Sequence, residues 1–146
     1  MDFAYSEEQS ALRELARKIL EEQATPERVG EIERSEERLD RALWRELAKA
    51  NLLGVALPED FGGSGYGFFE LCLLLEELGR VVAPIPAWPT LVLGALPLTE
   101  FGTAEQRRRW LPGVAAGEVL LTGALCEPEN DDVLRPTTRV VTDADG

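Results

Sequence analysis

At 146 residues the chain has room for one domain, or for one domain and part of another. Its 27 acidic residues against 15 basic ones leave a net charge of −12. That excludes nucleic acid and anionic membrane as broad partners, because both need a positive field. Histidine is absent, which removes the commonest general base and the commonest metal ligand, and no metal site is expected. Apolar residues make up 45%, enough for a sizeable core. Cys72 and Cys126 stand apart with no CxxC spacing, the pattern of two reduced thiols in a cytoplasmic protein. The N-terminus is acidic and lacks an apolar core, so it does not read as a signal peptide. No apolar run approaches the roughly 20 residues that span a bilayer.

Ser6 followed by Gln9 is a capping box, and Leu12, Leu15, Ala16, Ile19 and Leu20 recur at helical spacing behind it. A first helix is predicted over about 6–22. Thr25-Pro26-Glu27 opens a second, short helix with a cap, a proline at its first position and an acid in its first turn. The polar run from Gly30 to Asp40 reads as loop or frayed helix. Asp40 caps a third helix carrying Leu43, Trp44, Leu47 and Ala48, expected to end near Gly54. The glycine-rich stretch from Val55 to Gly67 fits neither the P-loop nor GxGxxG, and reads as a long turn between helices.

From Phe68 to about Val82 the pattern is apolar on three sides, through Phe68, Leu71, Cys72, Leu74, Leu75 and Leu78, with Glu76, Glu77 and Arg80 expected to mark the water-facing side. Pro84, Pro86 and Pro89 predict an extended, stiff path, with Thr90 capping a short apolar helix from Leu91 to about Leu98. Thr103 and Gln106 form a second capping box, opening a helix through Arg107-Arg108-Arg109-Trp110. In so acidic a chain these arginines are expected on a solvated face, against local carboxylates. Only after Gly117 does strand character appear, from Val119 to Cys126 and again from Thr137 to Thr142. Two strands with open edges do not make a stable sheet, so the chain reads as a fragment. Residues 1–117 would be an all-α N-terminal domain, and 118–146 the incomplete start of a β domain.

Taken in order, these pieces resemble the acyl-CoA dehydrogenase family. The opening helix, the run from Leu43 to Gly67, "LLLEELGRV", the run from Leu91 to Glu118 and "LTGALCEP" each resemble a family segment, at family spacing. The resemblance implies a mainly α fold: an N-terminal helical domain, then the beginning of a β-barrel-like middle domain, with a C-terminal four-helix bundle beyond this chain. It also implies FAD, an acyl-CoA thioester substrate, α,β-desaturation, and a dimeric or tetrameric homo- or hetero-oligomer. The family's catalytic carboxylate would lie beyond Gly146, so no residue here is assigned as the base, and the chain by itself is expected to be inactive.

By position in the family, Gly123, Leu125 and Cys126 would line the flavin, with main-chain groups suited to the ring's donor and acceptor edge. Cys126 stands where the family usually has threonine, a weak thiol in place of a strong donor. The turn after it reads Glu129-Asn130-Asp131-Asp132 in place of the usual small-residue turn, and Asp131 falls near a family serine that touches the CoA arm. A carboxylate there would repel phosphates. Ile85, Pro86, Pro89, Thr90 and Leu93 are the candidate acyl-pocket lining. The prolines shorten that helix at its start, which predicts a cleft wide enough for a bulky, ring-bearing acyl group. A non-catalytic subunit of a mixed-subunit enzyme, or a related flavin oxidase or monooxygenase, would share this front half.

Overall fold

The computed structural model describes residues 4–130, 132–139 and 141. Its helices are α1 (Glu7–Gln23), α2 (Pro26–Arg34), α3 (Arg41–Lys49), α4 (Phe68–Arg80), α5 (Leu96–Phe101) and α6 (Ala104–Ala115), with a 3₁₀ turn at Glu59–Phe61. A π-helical segment, Trp88–Ala95, runs directly into α5.

Every helix start read from a cap ahead of α1, α2, α3 and α6 is present. Ser6 Oγ accepts from Gln9 N (3.1 Å) while Ser6 N donates to Gln9 Oε1 (3.0 Å). Thr103 and Gln106 repeat that exchange at α6 (3.2 and 2.8 Å). Thr25 Oγ1 accepts from Arg28 N, and Asp40 Oδ1 accepts from Ala42 N and Leu43 N. Each satisfies main-chain donors that the first helical turn leaves without partners.

Three helix ends close alike. Behind α3, Asn51 N donates to Ala48 O and Leu52 N to Leu47 O (both 2.9 Å). Behind α4, Val82 N reaches Gly79 O and Ala83 N reaches Leu78 O. Behind α6, Gly117 N reaches Val114 O and Glu118 N reaches Gly113 O. These are Schellman motifs, in which the residue just past the helix takes a left-handed φ: +55° at Asn51, +51° at Val82 and +72° at Gly117. The third helix therefore ends at Lys49, short of the expected Gly54, because Asn51 tolerates the left-handed conformation and turns the chain early.

α1 packs along α4 and touches α3, and Leu20, Leu43, Leu47, Leu71, Leu74 and Leu111 are fully buried between the helices. Burying each such side chain contributes about 1.5–3 kcal/mol. Phe68 departs from the apolar pattern and is 56% exposed at the start of α4. The glycine-rich stretch is a turn, as expected. Its Gly63, Ser64, Gly65 and Tyr66 amides donate to Pro58, Gly54, Leu57 and Val55 carbonyls, so they are not free to cradle a phosphate. At Gly63 a side chain would lie 2.0 Å from Leu57 O, so nothing larger fits.

Three expectations change. Glu77 does not face water. Its side chain is 1% exposed and accepts from Arg13 Nε (2.7 Å), Arg17 Nη2 (2.8 Å) and Arg80 Nη1 (2.7 Å), tying α1 to α4. Its partners on α1 lie about sixty positions away in sequence, beyond the reach of helical periodicity. The arginines of α6 meet no carboxylate among the described residues. Arg109 instead lies over the Trp110 ring (4.8 Å), and Arg107 Nε is shielded from solvent without a partner. Finally, no strand forms among the described residues. The run 119–126 joins no helix or strand, and one isolated bridge joins Glu127 and Asn130. Residues 137–139 and 141 likewise join no strand, and the rest of that predicted strand lies outside the described residues. A strand is defined by a neighbour's hydrogen bonds, and apolar alternation does not supply the neighbour.

Candidate functional site

The predicted site residues converge where the segment after Arg80 passes the segment after Gly117. Pro84 and Pro86 hold residues 83–86 out of helix, as their missing N–H groups require. The helix then begins at Trp88, ahead of the expected Thr90. Pro89 sits in its first turn, where an amide hydrogen would have no partner anyway, so it does not delay the helix. Thr90 is consequently not a cap: its N–H donates to Pro86 O (3.0 Å), and its side chain is wholly buried with Oγ1 unpartnered. Leu96 N reaches back five residues to Leu91 O, the wide turn of a π-helix, a form often found at functional sites. Pro97, without an N–H, marks the return to α-helix.

Ala87, Leu91 and Ala95 anchor this segment in the core, which turns Leu93 and Gly94 toward the run 119–123. Gly94 is a notch: a Cβ there would lie 2.4 Å from Leu121 Cβ and 3.2 Å from Leu121 C. Gly123 sits against Leu93, where an added Cβ would meet Leu93 O at 3.1 Å and Leu93 Cβ at 3.4 Å. The fold therefore brings candidate flavin-lining Gly123 and candidate acyl-lining Leu93 into contact. Gly94 was not singled out in the sequence; a lone glycine inside an apolar helical run is the signal that could have found it.

Ile85 and Pro86 line a cleft of about 460 Å³ with Leu39, Arg38 and Leu120. On its other side Ile85 joins Leu78, Val82 and Trp88 around an apolar cleft of about 360 Å³. Pro89 and Leu93 are half-buried, Leu125 is 56% exposed and Cys126 is exposed. Asp131 lies outside the described residues. From Leu120 to Cys126, no main-chain N–H or C=O meets a hydrogen-bonding partner among the described residues. This open row of alternating donors and acceptors, laid across a notched helix, suits a planar group with a polar edge, and equally suits a neighbouring strand. The fit to a flavin is through main-chain groups; the Cys126 thiol adds only a weak donor. Among the described residues no cluster of acidic or cysteine side chains could hold a metal ion.

Comparison with known proteins gives these elements a common origin. The family described as "Acyl-CoA dehydrogenase, N-terminal domain" matches residues 6–118. Acyl-CoA dehydrogenases FadE27 and FadE28 of Mycobacterium tuberculosis are each 38% identical to the chain, over 86% and 97% of it and 34% and 36% of their own lengths. A solved variant of the "Tcur3481-Tcur3483 steroid ACAD" is 55% identical with a TM-score of 0.87, over 96% of this chain and 38% of that one. The ChsE4-ChsE5 complex from Mycobacterium tuberculosis is 37% identical with a TM-score of 0.78, over 84% and 34%. The chain belongs to the acyl-CoA dehydrogenase family, and spans about a third of the length of these relatives.

Proposed function

We propose that this chain is the N-terminal helical domain, residues 1–117, and the opening of the middle domain, residues 118–146, of an FAD-dependent acyl-CoA dehydrogenase. Its substrate is a bulky acyl-CoA thioester, its setting a cytoplasmic oligomer. The single observation that carries the reading is the unpaired main-chain row at 120–126, lying against Leu93 and Gly94 in a chain of this family. When bound, FAD supplies the acceptor for the hydride leaving the β carbon. Gly123, Leu125 and Cys126 would hold the flavin edge through their main-chain groups. Ile85, Pro86, Pro89 and Leu93 would shape the acyl cleft and exclude water, with Thr90 buried behind them. Asp131 remains a candidate neighbour of the CoA arm. Similarity to two solved chains of the Tcur3481-Tcur3483 steroid ACAD, at 55% and 29% identity, supports the bulky substrate.

Cys126 favours a second reading, a non-catalytic subunit paired with an active one, since a thiol stands where family members offer a hydroxyl donor. The two are separated by purifying the complete gene product alone and beside a co-expressed partner. FAD content and desaturation of straight-chain and steroid CoA thioesters are then measured. Stoichiometric FAD and turnover of the steroid thioester by the protein alone support the first reading. FAD and turnover only in the mixed assembly support the second. Preference for an unbranched chain refutes the bulky substrate.

A further inference from the structure

The acidic turn after Cys126 is built around one carboxylate. Glu127 Oε2 accepts from Thr137 N (2.8 Å), Thr137 Oγ1 (2.7 Å) and Asn130 Nδ2 (3.0 Å), and Oε1 accepts from Thr138 N (2.7 Å). Asn130 Nδ2 also donates to Arg135 O (2.8 Å), closing the same loop from inside. No strand ladder holds this region among the described residues, so the two ends of the loop meet on Glu127. Hydrogen bonds from Thr138 and Thr137 hold its carboxyl well below the usual range, so it is ionised at neutral pH. Hydrogen bonds to an ionised acceptor are the stronger class.

We propose that Glu127 is a positioning residue: by clasping Thr137 and Thr138 it fixes the course of the chain through Cys126, and so the aim of the main-chain row at 123–126. This deepens the reading above and rests on it. Without the clasp, the loop and the residues leading into it regain backbone freedom, and a ligand gripped by that backbone must order it on binding.

The test uses the complete gene product, freed of flavin and titrated with FAD. Glu127→Gln keeps the size of the side chain and loses the charge and one acceptor. It should weaken FAD binding about tenfold, the loss of roughly one charge-assisted hydrogen bond. It should shift the bound flavin's visible absorption band, and leave the unfolding midpoint within about 2 °C, since the helical core does not use Glu127. Amide hydrogens of Thr137 and Thr138 should exchange about tenfold faster. Thr137→Val, which removes a single bond to Glu127, should move the same readouts less, and the double variant should cost less than the sum. Unchanged exchange shows that no clasp exists. Faster exchange with unchanged FAD affinity and spectrum shows a clasp that positions nothing. Either overturns the inference while the flavin reading stands, whereas a wild-type protein with no affinity for FAD overturns that reading and this inference with it.

Discussion

At the scale of single residues, two buried carboxylates carry much of the charge chemistry of the core. Arg17, with Arg13 and Arg80, holds Glu77 down to about 2 against the opposing pull of burial. A carboxylate whose folded value lies below its free value of 4.5 stabilises the fold above that pH, and the contribution is lost as pH falls toward 2. Glu77→Gln should cost about 3 kcal/mol at pH 7 by urea denaturation, because it leaves three guanidinium groups around a neutral side chain with one acceptor fewer. It should also flatten the acid limb of the stability profile between about pH 4.5 and 2. Asp40 serves twice, capping α3 and accepting from Arg28 Nε at 2.8 Å, and Arg28 holds its carboxyl below the usual range. Asp40→Asn keeps a cap and loses the ion pair, so it should cost less than Asp40→Ala, which loses both. The difference, about 1 kcal/mol, is the ordinary worth of an N-cap and is read from the two urea midpoints.

At the scale of elements, the left-handed Val82 behind α4 is the poorest fit between residue and position. A β-branched side chain there costs about 1–2 kcal/mol, and at 69% exposure it recovers little by burial. Val82→Gly should raise stability by about 0.5 kcal/mol, strain relief less the extra freedom of glycine in the unfolded chain, seen as a higher urea midpoint. Helix beginnings were legible in the sequence because a cap is local: Ser6, Thr25, Asp40 and Thr103 each lie within three residues of the amides they satisfy. The early end of α3 at Asn51 was local too, and was missed by giving glycine alone the left-handed role. Glu77 was illegible for a different reason, since its partners on α1 lie about sixty positions away, and Gly94, though marked as a lone glycine in an apolar run, gave no sign of its neighbour Leu121. Of the site, the residue set around Leu93 and Gly123 could be named from family position. Their contact, and the burial of Thr90, required the fold. Gly94→Ala tests the notch: it improves helix propensity by about 1 kcal/mol while driving a methyl into Leu121. The helical core should keep its unfolding midpoint, and FAD affinity of the complete gene product should fall about tenfold as the 119–123 run is pushed away.

At the scale of the whole molecule, the character of the chain changes near Gly117: the helices precede it, and no strand forms beyond it among the described residues. Trp44 Nε1 donates to Gly117 O (3.1 Å), the last hydrogen bond of the described residues that pins this end directly to a core side chain. Beyond it, Leu120, Leu125, Val133, Leu134 and Val141 stand between 43% and 88% exposed, apolar surface that the 146-residue chain leaves uncovered. Exposed apolar groups beside unpaired main-chain donors and acceptors describe an edge that another element or ligand completes. Hydrogen exchange measures this directly. In the 146-residue chain, amides inside α1, α4 and α6 should be protected by at least about a thousandfold, since they open only with the core. Amides from Leu121 to Cys126 should exchange at nearly the free rate. On the proposed reading they should slow by about a hundredfold in a longer, FAD-loaded protein, where the flavin would pair the same groups. Protection of 121–126 in the short chain, independent of concentration, would mean that the edge is already satisfied from within and has nothing to offer a flavin. Protection that grows with concentration would mean that two copies have found each other's edges, the expected fate of an open strand with an apolar face and no partner of its own.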